Sequence, residues 1–285
     1  MEHIRLMSHN QWYCNDNTPA WKEKGLDCSA AVRERGFARV YDETHPDIVG
    51  LQEVSGRMAE ELMAALETRG LQYALLWGHD TPILYRPDRF ELVDSFFALY
   101  PDHCPGLEGT FNNQNSKSRT LGVFRCKRSG AVFLFASTHL WWKENDPSHP
   151  LYQKGSDEAR IYQLGLAMDD IDRMRKAYGN CPAVLVGDLN NNYRAPCLRS
   201  AFDCGYRHAH DVAVDFADSS RGYHSCTADG FRITMEPGGF EDAIDHILLT
   251  DGGSLSVRRF ERYTPDYYMA LSDHSPVFID AELYL

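Results

Sequence analysis

The chain reads Ala183-Val184-Leu185-Val186-Gly187-Asp188-Leu189-Asn190 where an apolar run gives way to a carboxylate and a carboxamide. Asp188 and Asn190 are two residues apart, so on an extended chain their side chains point to the same side. We therefore predict a buried strand whose end presents an acid and an amide together, at the sheet edge where α/β proteins place their chemistry. A carboxylate can hold a cation or accept a proton from water, and an amide can donate and accept hydrogen bonds without changing charge.

The same arrangement recurs along the chain, where polar side chains stand at one end of six candidate strands. Besides the first stretch, these strand ends carry His9-Asn10, Gln52-Glu53, Thr138-His139, Asp245-His246 and Asp273-His274. Within a strand, His246 should point away from the side that Asp245 faces, so we interpret it as structural. Buried carboxylates are unfavourable unless they are paired or bound to a metal. The set as a whole therefore predicts a metal-assisted catalytic site.

Composition fits a globular protein, and the absence of several motifs disfavours other classes. The 285 residues are 43% hydrophobic and 25% charged, which allows a large core. No stretch approaches the ~20 apolar residues that span a bilayer, and no secretory pattern opens the sequence, so we expect a cytoplasmic protein. The chain contains no Cys-x-x-Cys pair, Gly-x-Ser-x-Gly elbow or Gly-x-x-x-x-Gly-Lys loop, which disfavours a zinc ribbon, a serine hydrolase and a nucleotide-binding P-loop.

The net charge bears on the substrate. With 29 basic and 41 acidic residues the chain carries a formal charge of −12, which repels polyanions at long range. This favours a small or medium phosphoester over a nucleic acid. A nuclease would need a local basic groove, for which the candidates are Lys117, Arg119, Arg125, Lys127 and Arg128. Side-chain alternation should place these residues on both faces of a strand.

Helical and strand patterns alternate along the chain. Apolar residues have helical spacing in residues 29–44, in the segment from Ser55 to Gly70 and in the segment from Ser156 to Gly179. Ser55 and Ser156 are the candidate N-caps of the second and third of these helices. Residues 72–100 and 120–138 have the pattern of successive strands, which indicates antiparallel pairing. We therefore predict mixed sheets with helices outside them, instead of a purely parallel doubly wound fold.

Five motifs, in this order, resemble those of the endonuclease/exonuclease/phosphatase superfamily, whose members include pancreatic deoxyribonuclease. They are Leu51-Gln52-Glu53, Thr138-His139-Leu140, Gly187-Asp188-Leu189-Asn190, Ile244-Asp245-His246-Ile247 and Ser272-Asp273-His274-Ser275-Pro276-Val277. The resemblance implies an α/β (α+β) fold, a four-layer sandwich of two mixed β-sheets packed face to face with helices on both outer faces. It also implies a single domain over residues 1–285 and hydrolysis of a phosphoester with Mg²⁺ or Mn²⁺.

The resemblance assigns metal-binding and water-activating roles. Glu53 matches the glutamate that binds the cation, with Asn10 and Asp273 as further metal-binding residues, and a hard cation prefers such oxygen ligands. Asp188 would orient or deprotonate the attacking water. Asn190 would hydrogen-bond the phosphoryl oxygens as negative charge grows on them.

Two histidines complete the predicted catalytic set. His139 would donate a hydrogen bond to the scissile phosphate, and His274 would act as acid or base. Asp245 would orient one of these histidines, and the sequence leaves open which of the two it is. A carboxylate beside an imidazole raises its pKa and fixes its tautomer.

Four further residues are candidates for binding the substrate. Arg119 opens an apolar strand where many members of the superfamily carry an arginine that can fork onto phosphate. Arg160, on the helix after a long loop, could reach back to the site. Trp141 and Trp142 follow the His139 strand end and could stack on a base or a sugar. The last suggestion comes from the residues alone and not from the resemblance.

These assignments predict a divalent-metal-dependent phosphoester hydrolase, either a phosphodiesterase or a phosphatase. Two alternatives stay open: a Mg²⁺-dependent nuclease acting on DNA or RNA, and a catalytically silent binding scaffold of the same fold. The expected partner is a phosphorylated substrate, either a small molecule or an oligonucleotide, and the sequence identifies no protein partner.

Overall fold

The computed structural model describes residues 1–113, 115–216, 224–226, 233–235, 242–250, 253–263 and 265–284. Across these residues the strands form two large mixed sheets, the first with seven strands. In spatial order they are β10 (Asp215–Phe216), β14 (Leu255–Arg262), β15 (Val277–Leu283), β1 (Glu2–Asn10), β2 (Ile48–Gln52), β4 (Ile83–Tyr85) and β3 (Ala74–Leu76).

The second sheet contains six strands within the described ranges. In spatial order they are β5 (Phe90–Leu99), β6 (Ser118–Cys126), β7 (Val132–His139), β8 (Ala183–Asp188), β13 (Asp245–Thr250) and β9 (Tyr206–His208). Two short strands, β11 (His224–Cys226) and β12 (Ile233–Met235), pair with each other outside both sheets.

Apolar side chains on the facing surfaces of the two sheets form one core. It includes Leu6, Ile48 and Ile279 from the first sheet and Phe133 and Val186 from the second, each fully or almost fully buried. Burial of such side chains is the main stabilising contribution to a fold of this kind. The sheets therefore pack face to face, as the resemblance implies.

Helices cover the outer face of each sheet. On the first sheet α2 (Ala30–Thr44) and α3 (Gly56–Thr68) pack over a core of their own, and on the second α4 (Ser156–Ala177) and α5 (Pro196–Asp203) do the same. Shorter helices are α1 (Pro19–Glu23), α6 (Ala209–Val212) and a 3₁₀ helix (Asp266–Ala270). The order helix, sheet, sheet, helix confirms the predicted four-layer α/β sandwich.

The helix starts agree with the sequence pattern with one difference. The Ser55 hydroxyl accepts a hydrogen bond from Met58 N at 3.1 Å and caps α3. Ser156 was predicted to cap α4, but Gly155 occupies the cap position and Ser156 is the first helical residue. Its hydroxyl donates to the carbonyl of Gln153 at 2.8 Å. Gly155 takes this position because its φ of 87° lies in the left-handed region that glycine adopts without strain.

The predicted run of strands over residues 72–100 divides between the two sheets. Strands β3 and β4 pair antiparallel in the first sheet, whereas β5 pairs antiparallel with β6 in the second. The division falls at a turn around Pro87, where Phe90 N donates to the Arg86 carbonyl at 3.0 Å. Proline lacks a backbone N–H and fixes φ, which favours this change of direction.

Strand register brings distant polar residues to one edge of the sandwich. In the first sheet β1 and β2 run parallel, and Asn10 lies beside Gln52. In the second sheet β7 and β8 run parallel with His139 beside Asp188, and antiparallel β13 places Asp245 on the other side of Asp188. The strand ends identified in the sequence therefore converge at this edge.

Among the described residues, no helix combines the length and the apolar composition needed to cross a membrane.

A buried acid in α2 should limit stability at neutral pH. Glu34 is fully buried and neither carboxylate oxygen has a hydrogen-bond partner, and this burial raises its pKa well above the ordinary value. Its ionisation therefore destabilises the folded state as pH rises above about 4.5. We expect Glu34→Gln to increase the free energy of unfolding by about 1–3 kcal/mol at pH 8.

Urea unfolding of Glu34→Gln and wild type at several pH values measures this difference. The gain should shrink towards pH 4, where the Glu34 carboxyl is neutral in both folded and unfolded states. Glu67→Gln, an exposed position on α3, serves as the control and should change stability little. A gain from Glu34→Gln that is independent of pH would contradict the prediction.

Candidate active site

A cavity of about 680 Å³ opens where the strand ends meet. Its lining includes seven of the twelve predicted site residues, namely Glu53, His139, Trp142, Asp188, Asn190, Asp273 and His274. Asn10 and Asp245 lie directly behind this lining and contact it. Polar and aromatic residues complete the wall, among them Tyr13, Ser55, Trp77, His79, Asp80, Asn113, Ser116 and Lys117. The volume lies in the range of small-molecule sites.

Asn10 connects two carboxylates of the cavity wall from behind. Its amide nitrogen lies 3.2 Å from Glu53 Oε1 and 3.0 Å from Asp188 Oδ2. Its amide oxygen accepts a hydrogen bond from Trp12 N at 2.9 Å, which fixes the orientation of the group. Asn10 therefore holds the two carboxylates side by side, and its predicted role as a metal ligand stays a prediction.

Glu53 is held by unusual backbone geometry. It follows β2 with a φ of 60°, a left-handed conformation that is uncommon for residues other than glycine. Its Oε2 accepts a hydrogen bond from Tyr13 N at 3.1 Å. Burial opposes ionisation, but the positive charges of His139 and Lys117 lower the pKa of Glu53 to about 2. The group is therefore a carboxylate at neutral pH.

Asp188 and Asn190 form a tight turn at the end of β8. Asp188 is buried, and its Oδ1 accepts a hydrogen bond from Asn190 N at 2.8 Å. The Asn190 amide nitrogen donates to the Leu140 carbonyl at 3.0 Å, so the side chain is fixed at the cavity wall. Gly187 permits the close approach of β7 here, because an added Cβ would lie 2.0 Å from the carbonyl oxygen of Thr138.

Asp245 pairs with His274, which answers the question that the sequence left open. Asp245 Oδ2 lies 2.8 Å from His274 Nδ1, and His274 Nε2 lies 3.8 Å from both Asp188 Oδ2 and Asp273 Oδ1. Burial alone would lower the pKa of His274, but the three surrounding carboxylates raise it well above the ordinary value. The structure thus holds an imidazolium that points its Nε2–H towards the cavity.

His139 pairs with a different acid, Asp80, which the sequence analysis did not select. Asp80 Oδ2 lies 2.7 Å from His139 Nδ1, and both residues are buried. His139 Nε2 faces the carboxylates, 3.5 Å from Asp188 Oδ2 and 3.9 Å from Glu53 Oε1. Asp80 follows the short strand β3 in the polar segment 78–81, and this is the same kind of strand-end signal that identified the other site residues.

Lys117 is a second functional candidate that the sequence analysis did not select as a site residue. Its ammonium nitrogen is buried against His139, 2.5 Å from Nε2. Asn112 fixes the backbone here through a hydrogen bond from Lys117 N to its side-chain oxygen at 3.0 Å. Burial lowers the pKa of Lys117, and the carboxylates of Asp80 and Glu53 oppose this effect. Lys117 thus places one positive charge inside the cavity.

The donor set fits a hard divalent cation. Glu53, His139 and Asp188 each offer a ligand atom, and these atoms lie within 4.8 Å of one another. Asp273 has a buried Oδ1 without a hydrogen-bond partner, and burial raises its pKa to about 6. Burial likewise raises the pKa of Asp188, an effect that the imidazoles of His274 and His139 oppose. Closely spaced carboxylates of this kind are stabilised when a cation binds.

Arg119 lies outside the cavity. Its Nε donates to Asp170 Oδ2 on α4 at 2.6 Å, and its guanidinium lies 4.9 Å from the centre of the Tyr100 ring. Alternation along β6 explains this placement, since Ser118 faces the first sheet through its contact with Thr81 and the next residue therefore faces the helices. The predicted phosphate contact has no support from this position, and Lys117 carries the charge in the cavity instead.

Arg160 and Trp141 hold the loop that follows β7. Arg160 is buried and donates to the carbonyls of Lys143 at 2.7 Å and Trp141 at 3.1 Å. Trp141 is also buried, with its ring 5.9 Å from that of Phe111. Both residues therefore shape the loop without lining the cavity. Of the four predicted substrate-binding residues, Trp142 alone lies in the cavity wall.

Comparisons with known proteins agree with this geometry. The model of the endonuclease/exonuclease/phosphatase family matches residues 7–274. No curated protein sequence matches the chain significantly. Among solved structures, an endonuclease/exonuclease/phosphatase from Bacteroides vulgatus is similar with a TM-score of 0.73 and 22% identity, covering 99% of this chain and 100% of that chain.

Two other solved structures share the fold. A mannosyl-6-phosphatase from Bacteroides thetaiotaomicron has a TM-score of 0.69 and 20% identity, covering 98% of this chain and 99% of that one. TDP2 from D. rerio, complexed with a single-strand DNA product, has a TM-score of 0.64 and 15% identity, covering 99% and 100%. At these identities the likeness shows the fold alone. The family match, however, extends over most of the sequence, and the chain therefore belongs to the endonuclease/exonuclease/phosphatase family.

Proposed function

We propose that this protein is a phosphoester hydrolase that depends on a divalent cation, Mg²⁺ or Mn²⁺. One observation carries the proposal: two histidines, each held by its own buried aspartate, flank a carboxylate network in a single cavity. This arrangement provides a base, an acid and a cation site around a space where a phosphate group fits. A catalytically silent scaffold would have no need of such a costly set of buried charges.

Asp188 is the group that we assign to the attacking water. Asn10 and Asn190 fix its carboxylate through one hydrogen bond to each oxygen. The remaining lone pairs can orient a water molecule and accept its proton. Because burial raises the pKa of Asp188, the carboxylate is a stronger base than an exposed aspartate.

His274 and Asn190 stabilise the negative charge that develops on the phosphoryl oxygens. The Nε2–H of His274 points into the cavity, and Asp245 fixes the ring from the other side. His139 is fixed in the same way by Asp80 and also lines the cavity. Hydrogen-bond donors that are held in place before reaction lower the barrier because they need no reorganisation.

Glu53 and Asp273 are the oxygen donors that we assign to the cation, with Asn10 supporting Glu53. The cation, when bound, supplies Lewis-acid polarisation of a phosphate oxygen. Glu53 suits this role because it remains a carboxylate even in acid, with a pKa of about 2. Asp273 contributes a buried oxygen that otherwise lacks a hydrogen-bond partner.

A nuclease is the alternative, and one neighbouring structure, TDP2, is complexed with single-strand DNA. Of the five basic residues that could have formed a groove, only Lys117 lines the cavity. The other four have partners elsewhere, namely Asp170 for Arg119, Glu91 for Arg125, the Pro87 carbonyl for Lys127 and Glu2 for Arg128. Another neighbour is a mannosyl-6-phosphatase, which supports a small phosphorylated substrate. We therefore favour a phosphatase or phosphodiesterase acting on a small or medium molecule.

Metal removal is the direct test of this function. Purified protein treated with a chelator should lose hydrolysis of a phosphoester panel, and addition of Mg²⁺ or Mn²⁺ should restore it, because Glu53 and Asp273 then have their cation. Asp188→Asn, assayed in parallel, reports any contaminating hydrolase. Full activity in excess chelator, or equal activity in the variant, would count against the proposal.

Lys117 should contribute to binding of the phosphate. We expect Lys117→Met to lower kcat/KM by about 10- to 100-fold, because it removes a charge-assisted hydrogen bond inside the cavity. Arg119→Met is the matched control, since its guanidinium faces Asp170 on α4. Steady-state kinetics of both variants measure the change in kcat/KM, and melting temperatures show whether each variant is folded. If Arg119→Met lowers kcat/KM more than Lys117→Met does, Arg119 and not Lys117 is the phosphate-binding residue.

A further inference from the structure

The cavity wall also carries side chains that the proposed mechanism does not use. They are three aromatic residues, Tyr13, Trp77 and Trp142, and the neutral polar residues Ser55, Asn113 and Ser116. The reactive groups described above are assigned to the phosphate and the cation. The part of the substrate that leaves with the departing oxygen must therefore contact rings, hydroxyls and an amide.

Two of the three aromatic rings are exposed although they line a site. Tyr13 is 56% and Trp77 46% exposed, which leaves their faces open to a ligand. Two of the three rings are also held in place. The Tyr13 hydroxyl accepts a hydrogen bond from Asn15 at 3.1 Å, and the Trp142 ring lies 6.0 Å from that of the buried Trp141. Rings that are fixed before binding lose little entropy when a ligand stacks on them.

The charge of the cavity lining disfavours a long polyanion as the substrate. Lys117 is the only lysine or arginine among the described residues that line the cavity. Proteins that bind nucleic acid strands neutralise several phosphates with basic side chains. A single buried ammonium, beside His139, suits one phosphate group.

We infer that the substrate is a phosphorylated sugar, whose ring lies on the aromatic side chains while its phosphate occupies the carboxylate–histidine end. A sugar ring has an apolar face of C–H groups that packs on aromatic rings and hydroxyls that exchange hydrogen bonds with serine and asparagine side chains. This inference rests on the proposed hydrolase function and names the substrate class. In the reaction the water oxygen bonds to phosphorus and gives a proton to Asp188, the bond between phosphorus and the sugar oxygen breaks, and the released sugar oxygen takes a proton from the imidazolium of His274 to become a hydroxyl.

A substrate series that differs only in the leaving group tests the inference. Wild-type protein with Mg²⁺ would be assayed on glucose 6-phosphate, mannose 6-phosphate, glycerol 3-phosphate, adenosine 5′-monophosphate and a single-stranded oligonucleotide. We expect kcat/KM for at least one hexose phosphate to exceed that for glycerol 3-phosphate by tenfold or more. A higher value for glycerol 3-phosphate, the nucleotide or the oligonucleotide would overturn the assignment to sugars.

Substitution of the aromatic residues provides the second part of the test. Trp77→Ala and Trp142→Ala should each raise KM for the hexose phosphate by about 3- to 30-fold, and raise it less for glycerol 3-phosphate. Phe97→Ala, at a 41% exposed aromatic on β5 that does not line the cavity, is the matched control. An equal loss on both substrates would show that the rings act on folding or on the phosphate end, and would overturn the inference.

Binding to an inactive protein separates this inference from the proposed function. Asp188→Asn should bind the hexose phosphate at least tenfold more tightly than inorganic phosphate by calorimetry, and Trp77→Ala in that background should reduce the difference. If the wild type hydrolyses no phosphoester at all, the hydrolase function fails. If it hydrolyses glycerol 3-phosphate well and the binding preference is absent, the sugar assignment alone fails.

Discussion

Replacing Asp188 by asparagine should reduce kcat by about 10²- to 10⁴-fold, the range expected for loss of a general base. Asparagine has nearly the same shape and can still accept a hydrogen bond from Asn190 N. It cannot take a proton from water, and its amide would face the amide nitrogen of Asn10, which now donates to Asp188 Oδ2 at 3.0 Å. The loss should appear in kcat more than in KM, because proton transfer occurs in the transition state.

Steady-state kinetics and circular dichroism together show whether Asp188→Asn loses catalysis or loses its fold. Asp203→Asn, at an exposed position at the end of α5, is the control and should retain the wild-type rate. A folded Asp188→Asn protein with wild-type kcat would remove Asp188 from the mechanism. Loss of activity with loss of fold would point to the buried hydrogen-bond network instead, and the melting temperature distinguishes the two.

His274→Gln should lower kcat by a similar factor, about 10²- to 10⁴-fold. The imidazolium that Asp245 and its neighbours stabilise has its Nε2 3.8 Å from a carboxylate oxygen of Asp188 and of Asp273. Glutamine can still donate a hydrogen bond but carries no positive charge, so it stabilises the developing phosphoryl charge less well. Asp245→Asn should lower kcat less than His274→Gln does, because the imidazole of His274 itself remains.

The double variant gives the sharper result. If Asp245 acts through His274, then His274→Gln with Asp245→Asn should be no slower than His274→Gln alone, because groups that act as a unit are not additive. The comparison is the double variant Asp80→Asn with His274→Gln. Asp80 orients His139 and not His274, so the fold-losses in kcat of its two single variants should multiply. Additive losses for Asp245 and His274 would mean that Asp245 acts on the reaction by another route.

Much of the fold and of the site was predictable because it depends on local pattern. Apolar runs that end in acids, amides and histidines identified the strand ends, and the side-chain period of two indicated which residues share a face. Of the residues predicted to act on phosphate or cation, Glu53, His139, Asp188, Asn190, Asp273 and His274 all line the same cavity. Their proposed roles await the kinetic experiments above.

The substrate-binding residues were predicted less well, for a physical reason. Arg119 and Arg160 are long basic side chains close in sequence to the strand ends, but nearby carboxylates and carbonyls provide partners on the helix side and in the loop. Trp141 and Trp142 are adjacent, and one is in a core while the other lines the cavity. Local sequence does not show which neighbour a flexible or aromatic side chain will meet.

By itself the sequence indicated mixed sheets with helices outside them, the strand ends and the residue types of the site, because hydrophobic period and residue type are local properties. The four layers and the phosphoester chemistry were implied by the resemblance to the superfamily. Only the tertiary structure decided the pairings: Asp245 with His274 across 29 positions, and Asp80 with His139 across 59. Such pairs depend on strand order and register, which arise from packing between distant segments. The same packing placed Lys117, Trp77 and Tyr13 at the cavity, where they indicate what the site accepts.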